Sequence, residues 1–433
     1  MNKLFLSGAV ALLISGCGGG GGSTTPTATN TAPSTPVTTQ AVTCTNPHAA
    51  DYPATFNGPW PTPTPTQKLD SNIVRSAAFK DYYAGMFGSL SSNCTSEEYT
   101  KLMYTLTLDR LKALNVQRAW IYNFAHWTDA SHTNWTIARK NWEIPESTLV
   151  WILSEAKKRN IEIYISWQFS VQDFDGDKLW TSADENSIEV MRKIMDAHQS
   201  VMIDLADFAQ ANNVPGIALD WNAMYVPAMT THKGYMTQRF AEIAGQVRQK
   251  YTGKLVYGQQ VVPEYNEELY SKIDYIMIDL WNIRLTNVEA INMSVENVEA
   301  ATLREFNRQF SMLQKDGQVQ KPVIFKFLVQ SRDKFFTEGW KEDGFCISEV
   351  LANGNTHKCI QETYTTDFSV QAVGVEGILR AIKKQTQFKV ESVEYNAVWL
   401  TDTLQPGKEG FPNISQSVRG KPAEKIIQYW FSK

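Results

Sequence analysis

The sequence predicts an α/β fold in which repeated strand–helix units close into a single (β/α)8 TIM barrel, and three observations predict it. Short apolar runs alternate with amphipathic segments from about Leu69 to the end of the chain. The runs are continuous rather than alternating in hydrophobicity, as strands covered on both faces are. Seven runs are plain and an eighth is weaker. No Gly-rich phosphate loop follows any of them, which favours a closed barrel over an open doubly wound sheet.

In order, the weak first strand is Asn72–Phe79. Helix Glu98–Leu114 leads to strand Val116–Phe124, an unbroken apolar and aromatic run. Helix Glu146–Arg159 follows Pro145, a helix-start signal, and leads to strand Ile161–Phe169. Helix Ser187–Ala211 carries Met191, Ile194, Val201, Leu205 and Phe208 mostly three or four apart, which makes one buried stripe. His198 lies beside that stripe and reads as a core or half-buried residue. Strand Val214–Trp221, helix Tyr235–Tyr251, strand Lys254–Val262 and strand Ile273–Trp281 continue the pattern. Helix Glu296–Lys315, strand Pro322–Val329, helix Ser369–Thr386 and strand Glu394–Leu400 complete it. Helix Lys421–Phe431 closes the chain, with Pro422 in its first turn.

Composition narrows the class. Of 433 residues, 43% are hydrophobic, and 41 basic against 45 acidic residues leave a net charge of −4. A fully disordered chain is excluded, and the near-balanced charge argues against a polycationic nucleic-acid binder. Residues 4–16 form the one hydrophobic segment, too short to span a bilayer as a helix. Three regions follow. Residues 1–16, with Lys3, the apolar Leu4 to Ile14 and small residues before Cys17, resemble a bacterial lipoprotein signal. That resemblance implies cleavage before Cys17, acylation of this cysteine and anchoring in a membrane. Gly18 in place of Asp then favours the outer membrane. Residues 17–67 are rich in Thr, Pro and Gly, and Asp51 is the one charge between Lys3 and Lys68. They read as a disordered, flexible tether. Residues 68–433 form the barrel.

Five cysteines include Cys17; the other four are Cys44, Cys94, Cys346 and Cys359. An even count in an oxidising compartment suggests two disulfides, with three pairings open. Cys346 and Cys359 are close in sequence and are paired here, which leaves Cys44 with Cys94 to pin the tether. Their spacing fits no zinc site. Asp173, Asp175 and Asp177 match the first half of a calcium loop, but Lys178 stands where that loop needs Gly and Asp184 where it needs Glu. No metal and no cofactor are expected.

A barrel gathers its chemistry at the carboxyl ends of its strands. Those ends carry Asn123 and Trp127, Trp167, then Asp220, Trp221 and Asn222, then Asp279 and Trp281, and finally Trp399. Indole faces stack on pyranose rings, while amides and carboxylates bind hydroxyls. As an ensemble these residues suggest a carbohydrate site.

Several segments resemble a known family. Leu111-Lys112-Ala113-Leu114-Asn115-Val116 and Glu155-Ala156-Lys157-Lys158-Arg159-Asn160-Ile161 are similar to the second and third units of clan A glycoside hydrolases. Val247 to Tyr257, Ile273 to Asp279, Lys321-Pro322-Val323-Ile324-Phe325 and Arg419-Gly420-Lys421-Pro422 resemble later elements of glycoside hydrolase family 113, the mannanase-type barrels. The likeness spans about residues 100–433. It implies an acid/base Glu ending strand four and a nucleophile Glu on strand seven. Here Asn222 and Phe327 occupy those positions, and neither can do that work. Asp220 and Asp279, on strands four and six, are the substitute catalytic pair. The competing role for both is binding sugar hydroxyls or pairing with Arg118, Lys326 or Arg284. Two functions stay open: a glycosidase with displaced carboxylates, and a catalytically inactive carbohydrate-binding or assembly lipoprotein. The expected partners are a carbohydrate polymer or oligosaccharide and the membrane through Cys17. No nucleic acid is expected, and the protein is expected to be monomeric.

Overall fold

The computed structural model describes residues 62–79, 95–127, 137–138, 146–169, 186–219, 231–258, 265–281, 283–339, 364–396 and 413–433, with Cys44 and Val398. The elements are β1 (Val74–Phe79), α1 (Ser96–Ala113), β2 (Arg118–Trp127), β3 (Ile137–Ala138), α2 (Glu146–Lys158), β4 (Glu162–Phe169) and α3 (Ile188–Ala211). They continue with β5 (Gly216–Leu219), α4 (Lys233–Lys250), β6 (Lys254–Gly258), α5 (Glu267–Lys272), β7 (Tyr275–Asp279), α6 (Asn287–Ile291) and α7 (Val295–Leu313). Last come β8 (Val323–Phe327), α8 (Phe335–Glu338), α9 (Phe368–Lys384), β9 (Val390–Asn396) and α10 (Pro422–Trp430).

Strand order is β1-β9-β8-β7-β6-β5-β4-β2, and β1 pairs with β2 to close the ring. Every barrel pairing is parallel. The result is the (β/α)8 barrel that the strand count predicts. The short β3 adds to β2 antiparallel, beyond the cylinder.

Local sequence explains why the units turn so sharply. After α1, α2 and α3 the chain reverses through Asn115, Asn160 and Asn213, with φ of 61°, 56° and 53°. Asparagine tolerates this left-handed conformation better than other residues carrying a Cβ. In each case the next N–H, from Val116, Ile161 or Val214, donates back to the carbonyl of Leu111, Ala156 or Ala209. That bond ends the helix and aims the chain into the following strand. A capping box of Thr95 with Glu98 opens α1, and the Asp367 side chain caps α9.

The core is one continuous cluster, running from the barrel lumen through the wall to the inner faces of the helices. Phe306 of α7, Phe325 of β8 and Phe388 show the wall packing, with ring centroids 4.7 to 6.0 Å apart. Inside the barrel, Tyr164 fills the lumen because Gly216 opposite has no side chain: a Cβ there would lie 2.2 Å from the Tyr164 ring. The two ends of the domain meet. The Leu69 N–H donates to the Trp430 carbonyl, and the Lys68 ammonium reaches the backbone oxygen of Lys433.

One strand differs from its expected position. The last barrel strand is Val390–Asn396, four residues earlier than the apolar run 394–400 suggests. Ser392 and Glu394 of this strand are both fully buried polar residues, so the strand reads as polar in sequence. Cys44 is disulfide-bonded and packs half-buried on the core. Its expected partner Cys94, together with Cys346, Cys359, Cys17, the signal and most of the tether, lies outside the described residues. Among the described residues no helix is long and apolar enough to cross a membrane.

Candidate functional site

Residues paired across parallel strands face the same side of the sheet, so the register identifies the lumen. Ser76 pairs with Arg118 and with Glu394, Tyr164 with Gly216, and Lys326 with both Asp279 and Glu394. These residues line the interior in layers. The lower layer is closed by aromatic packing. Trp120 meets Tyr164 edge-on at 5.1 Å, and the Arg118 guanidinium lies 4.1 Å from the Tyr164 ring centroid. Arg118 also bonds Glu162 and Glu391 at 3.2 and 3.3 Å. Burial pushes the Tyr164 hydroxyl well above the usual phenol range, so it stays protonated.

The layer above carries charge. Asp279 is the last residue of β7, Lys326 the penultimate residue of β8, and Glu394 lies near the end of β9. The Lys326 ammonium is 3.7 Å from Asp279, and the two side chains are only 2% and 12% exposed. It stands 4.1 Å from the Tyr122 ring centroid and 5.4 Å from that of Trp281, both within cation–π range. The Tyr122 hydroxyl donates to Glu394 at 2.9 Å and lies 3.8 Å from the Met277 sulfur. A carboxylate, an ammonium, a second carboxyl group and two aromatic rings thus meet at the carboxyl end of the strands. That is where barrels bind and transform ligands.

Of the residues expected at the site, the structure places Asp279 and half-buried Trp281 at this mouth. Lys326 is the cation beside Asp279; Arg118 lies deeper with two other glutamates, and Arg284 approaches the Glu338 carbonyl. Trp167 lies elsewhere. It is 6% exposed and packs on Phe208 of α3 at 6.1 Å, in the wall between strand and helix. Phe327 also faces the wall, edge-on to Tyr395 at 5.2 Å, so the lumen residue of β8 is Lys326. Asp220, Trp221, Asn222 and Trp399, and the side chains of Asn123 and Trp127, lie outside the described residues.

Tyr122 is among the residues that end the apolar run Val116–Phe124, and it shares its parity with Arg118 and Trp120. One member of the layer escapes a reading by strand ends. Glu394 is hidden by the four-residue displacement of its strand. The stretch Ser392-Val393-Glu394-Tyr395 alternates polar and apolar, and that alternation was the available signal. Among the described residues no three His, Cys, Asp or Glu side chains cluster as metal ligands would. His198 belongs to the core: it is fully buried on α3, with its ring 5.5 Å from that of Phe240.

No family model matches the sequence, and no characterised protein sequence does either. Solved structures do match. A GH113 beta-1,4-mannanase aligns with TM-score 0.55 and 14% identity over 84% of this chain and 99% of its own. The GH113 beta-mannanase AaManA from Alicyclobacillus acidocaldarius, in complex with ManMIm, gives 0.54 and 13% over 84% and 98%. A further GH113 beta-1,4-mannanase structure gives 0.53 and 14% over 83% and 98%. At such identities the likeness is one of architecture, and the described chain shares the whole-barrel fold of these clan A glycoside hydrolases.

Proposed function

We propose that this barrel acts on a polysaccharide or oligosaccharide and hydrolyses glycosidic bonds with Asp279 and Asp220, from an outer-membrane lipid anchor on Cys17. One observation carries the reading. A carboxylate stands at the carboxyl end of β7 beside a half-buried indole, in a barrel whose whole length follows mannan-degrading enzymes. A carboxylate and an aromatic face are what sugar hydrolysis and sugar stacking need.

A second reading has its own support. The lumen residue at the end of β8 is Lys326, not a carboxylate, and it lies against Asp279. That arrangement suits a barrel that holds a sugar chain without cutting it.

The test incubates the full mature chain with β-1,4-mannan and a panel of neutral, amino-sugar and capsular polymers. New reducing ends and binding are measured together. Reducing ends that disappear in Asp279→Asn support hydrolysis. Binding without cleavage supports the second reading, and neither response overturns both.

A further inference from the structure

The charged layer contains more than one carboxylate needs for binding a hydroxyl. Lys326 is 1% exposed. An ammonium at such depth is stable only with compensation on several sides. Among the described residues it is compensated by Asp279 at 3.7 Å, the Tyr122 ring at 4.1 Å and the Trp281 ring at 5.4 Å. Register fixes this order. Asp279 pairs with Lys326, and Lys326 with Glu394, so the ammonium lies between two carboxyl-bearing strands. Glu394 in turn accepts the Tyr122 hydroxyl, which anchors the ring beneath the ammonium.

We propose that Lys326 is a positioning residue that holds Asp279 ionised and oriented, with Tyr122 and Glu394 as its supports, so that Asp279 is the anionic member of the site and not its proton donor. The assignment of a catalytic role rests on the hydrolytic reading above; the electrostatic arrangement does not. Among the described residues, Lys326 from β8 lies against Asp279, and Tyr122 from β2 and Glu394 from β9 complete the charged layer around that lysine. On the other side of Asp279, β6 presents Val256 and Gly258 at the lumen positions, in register with Tyr275 and Met277. Arg284, beyond the end of β7, approaches the Glu338 carbonyl. A positive charge within 4 to 6 Å lowers a carboxyl midpoint by about 1–3 units, and removing it should return that shift.

The experiment is a pH titration of the full chain labelled with carboxyl-13C aspartate, using Asp279→Asn to assign the Asp279 resonance. Lys326→Met is expected to raise the Asp279 midpoint by more than one unit, whereas Lys326→Arg keeps it within about half a unit. Lys326→Gln, which preserves length and polarity, serves if the Met variant does not fold, and the same rise is expected. An unmoved midpoint in any folded variant that lacks the cation overturns the proposal and leaves Lys326 as a filler of the lumen. Where the wild-type chain releases reducing ends, the acidic limb of its pH–rate profile should move upward in Lys326→Gln together with the midpoint. A chain with no turnover but a shifted midpoint would sink the hydrolytic reading alone.

Discussion

His198 shows how one buried side chain makes the stability of the whole domain depend on pH. It is fully buried on α3, and loss of hydration lowers its pKa to about 3 from an ordinary value near 6.5. The unfolded chain therefore binds a proton here that the folded chain refuses. The stability associated with the neutral ring is complete above pH 6.5 and declines as pH falls toward 3, by about 1.4 kcal/mol per unit. Urea unfolding at pH 7.5 and 4.5 should differ by roughly 3 kcal/mol from this residue, and His198→Phe should flatten that difference. A second residue-scale effect concerns the turns. Asn160 holds φ at 56°. Asn160→Val should cost about 1–2 kcal/mol in denaturant unfolding, while Asn160→Gly should be close to neutral, because this backbone crowds a Cβ, most of all a β-branched one, and glycine has none.

At the scale of elements, the closing helix is joined to the barrel through buried polar contacts as well as apolar ones. The Trp430 indole N–H of α10 donates to Glu376 of α9 at 2.6 Å, and that carboxylate also receives Arg380 at 2.7 Å. Glu424 of α10 forms a two-point pair with Arg110 of α1. The segment before α10 is held in the same way. Lys421 donates to Ser331 and Ser415, and the Gln371 amide of α9 reaches the carbonyls of Val329 and Gln416. Trp430→Phe keeps most of the apolar volume but leaves one oxygen of a fully buried carboxylate without its donor. A loss of about 2–3 kcal/mol is expected, read as a lowered urea midpoint with an unchanged slope.

For the whole molecule, closure matters most. Only because β1 pairs with both β2 and β9 do Tyr122, from early in the chain, and Glu394, from late in it, meet in one lumen. The side chains of this layer are almost wholly buried, so each charge in it acts strongly on the next. Asp279→Asn keeps the shape of that layer and removes its anion. If the chain cleaves sugars, release of reducing ends should fall at least about 100-fold in this variant, as loss of a general-base or nucleophilic carboxylate does. Its far-ultraviolet circular dichroism should match the wild type, which separates lost chemistry from lost fold.

The barrel itself was legible in the sequence. Alternating apolar runs and amphipathic helices record which surfaces are buried, and an asparagine before a strand records a left-handed turn; both are local signals. Asp279 and Trp281 were legible for the same reason, since they end a plainly apolar strand. Facing and partnership, by contrast, depend on how the strands come together. A one-residue change of parity turns Trp167 and Phe327 into the wall and Lys326 into the lumen, and hydrophobicity cannot report parity in a strand buried on both faces. The position of β9 was equally hidden, because its lumen side is polar. Contacts between Tyr122 and Glu394, 272 residues apart, exist only once the sheet closes. Local hydrophobic pattern is enough to specify a barrel with acidic and aromatic strand ends. Closure of that barrel decided that one of those acids lies against a buried lysine, because only a closed lumen brings Asp279, Lys326, Tyr122 and Glu394 together away from water.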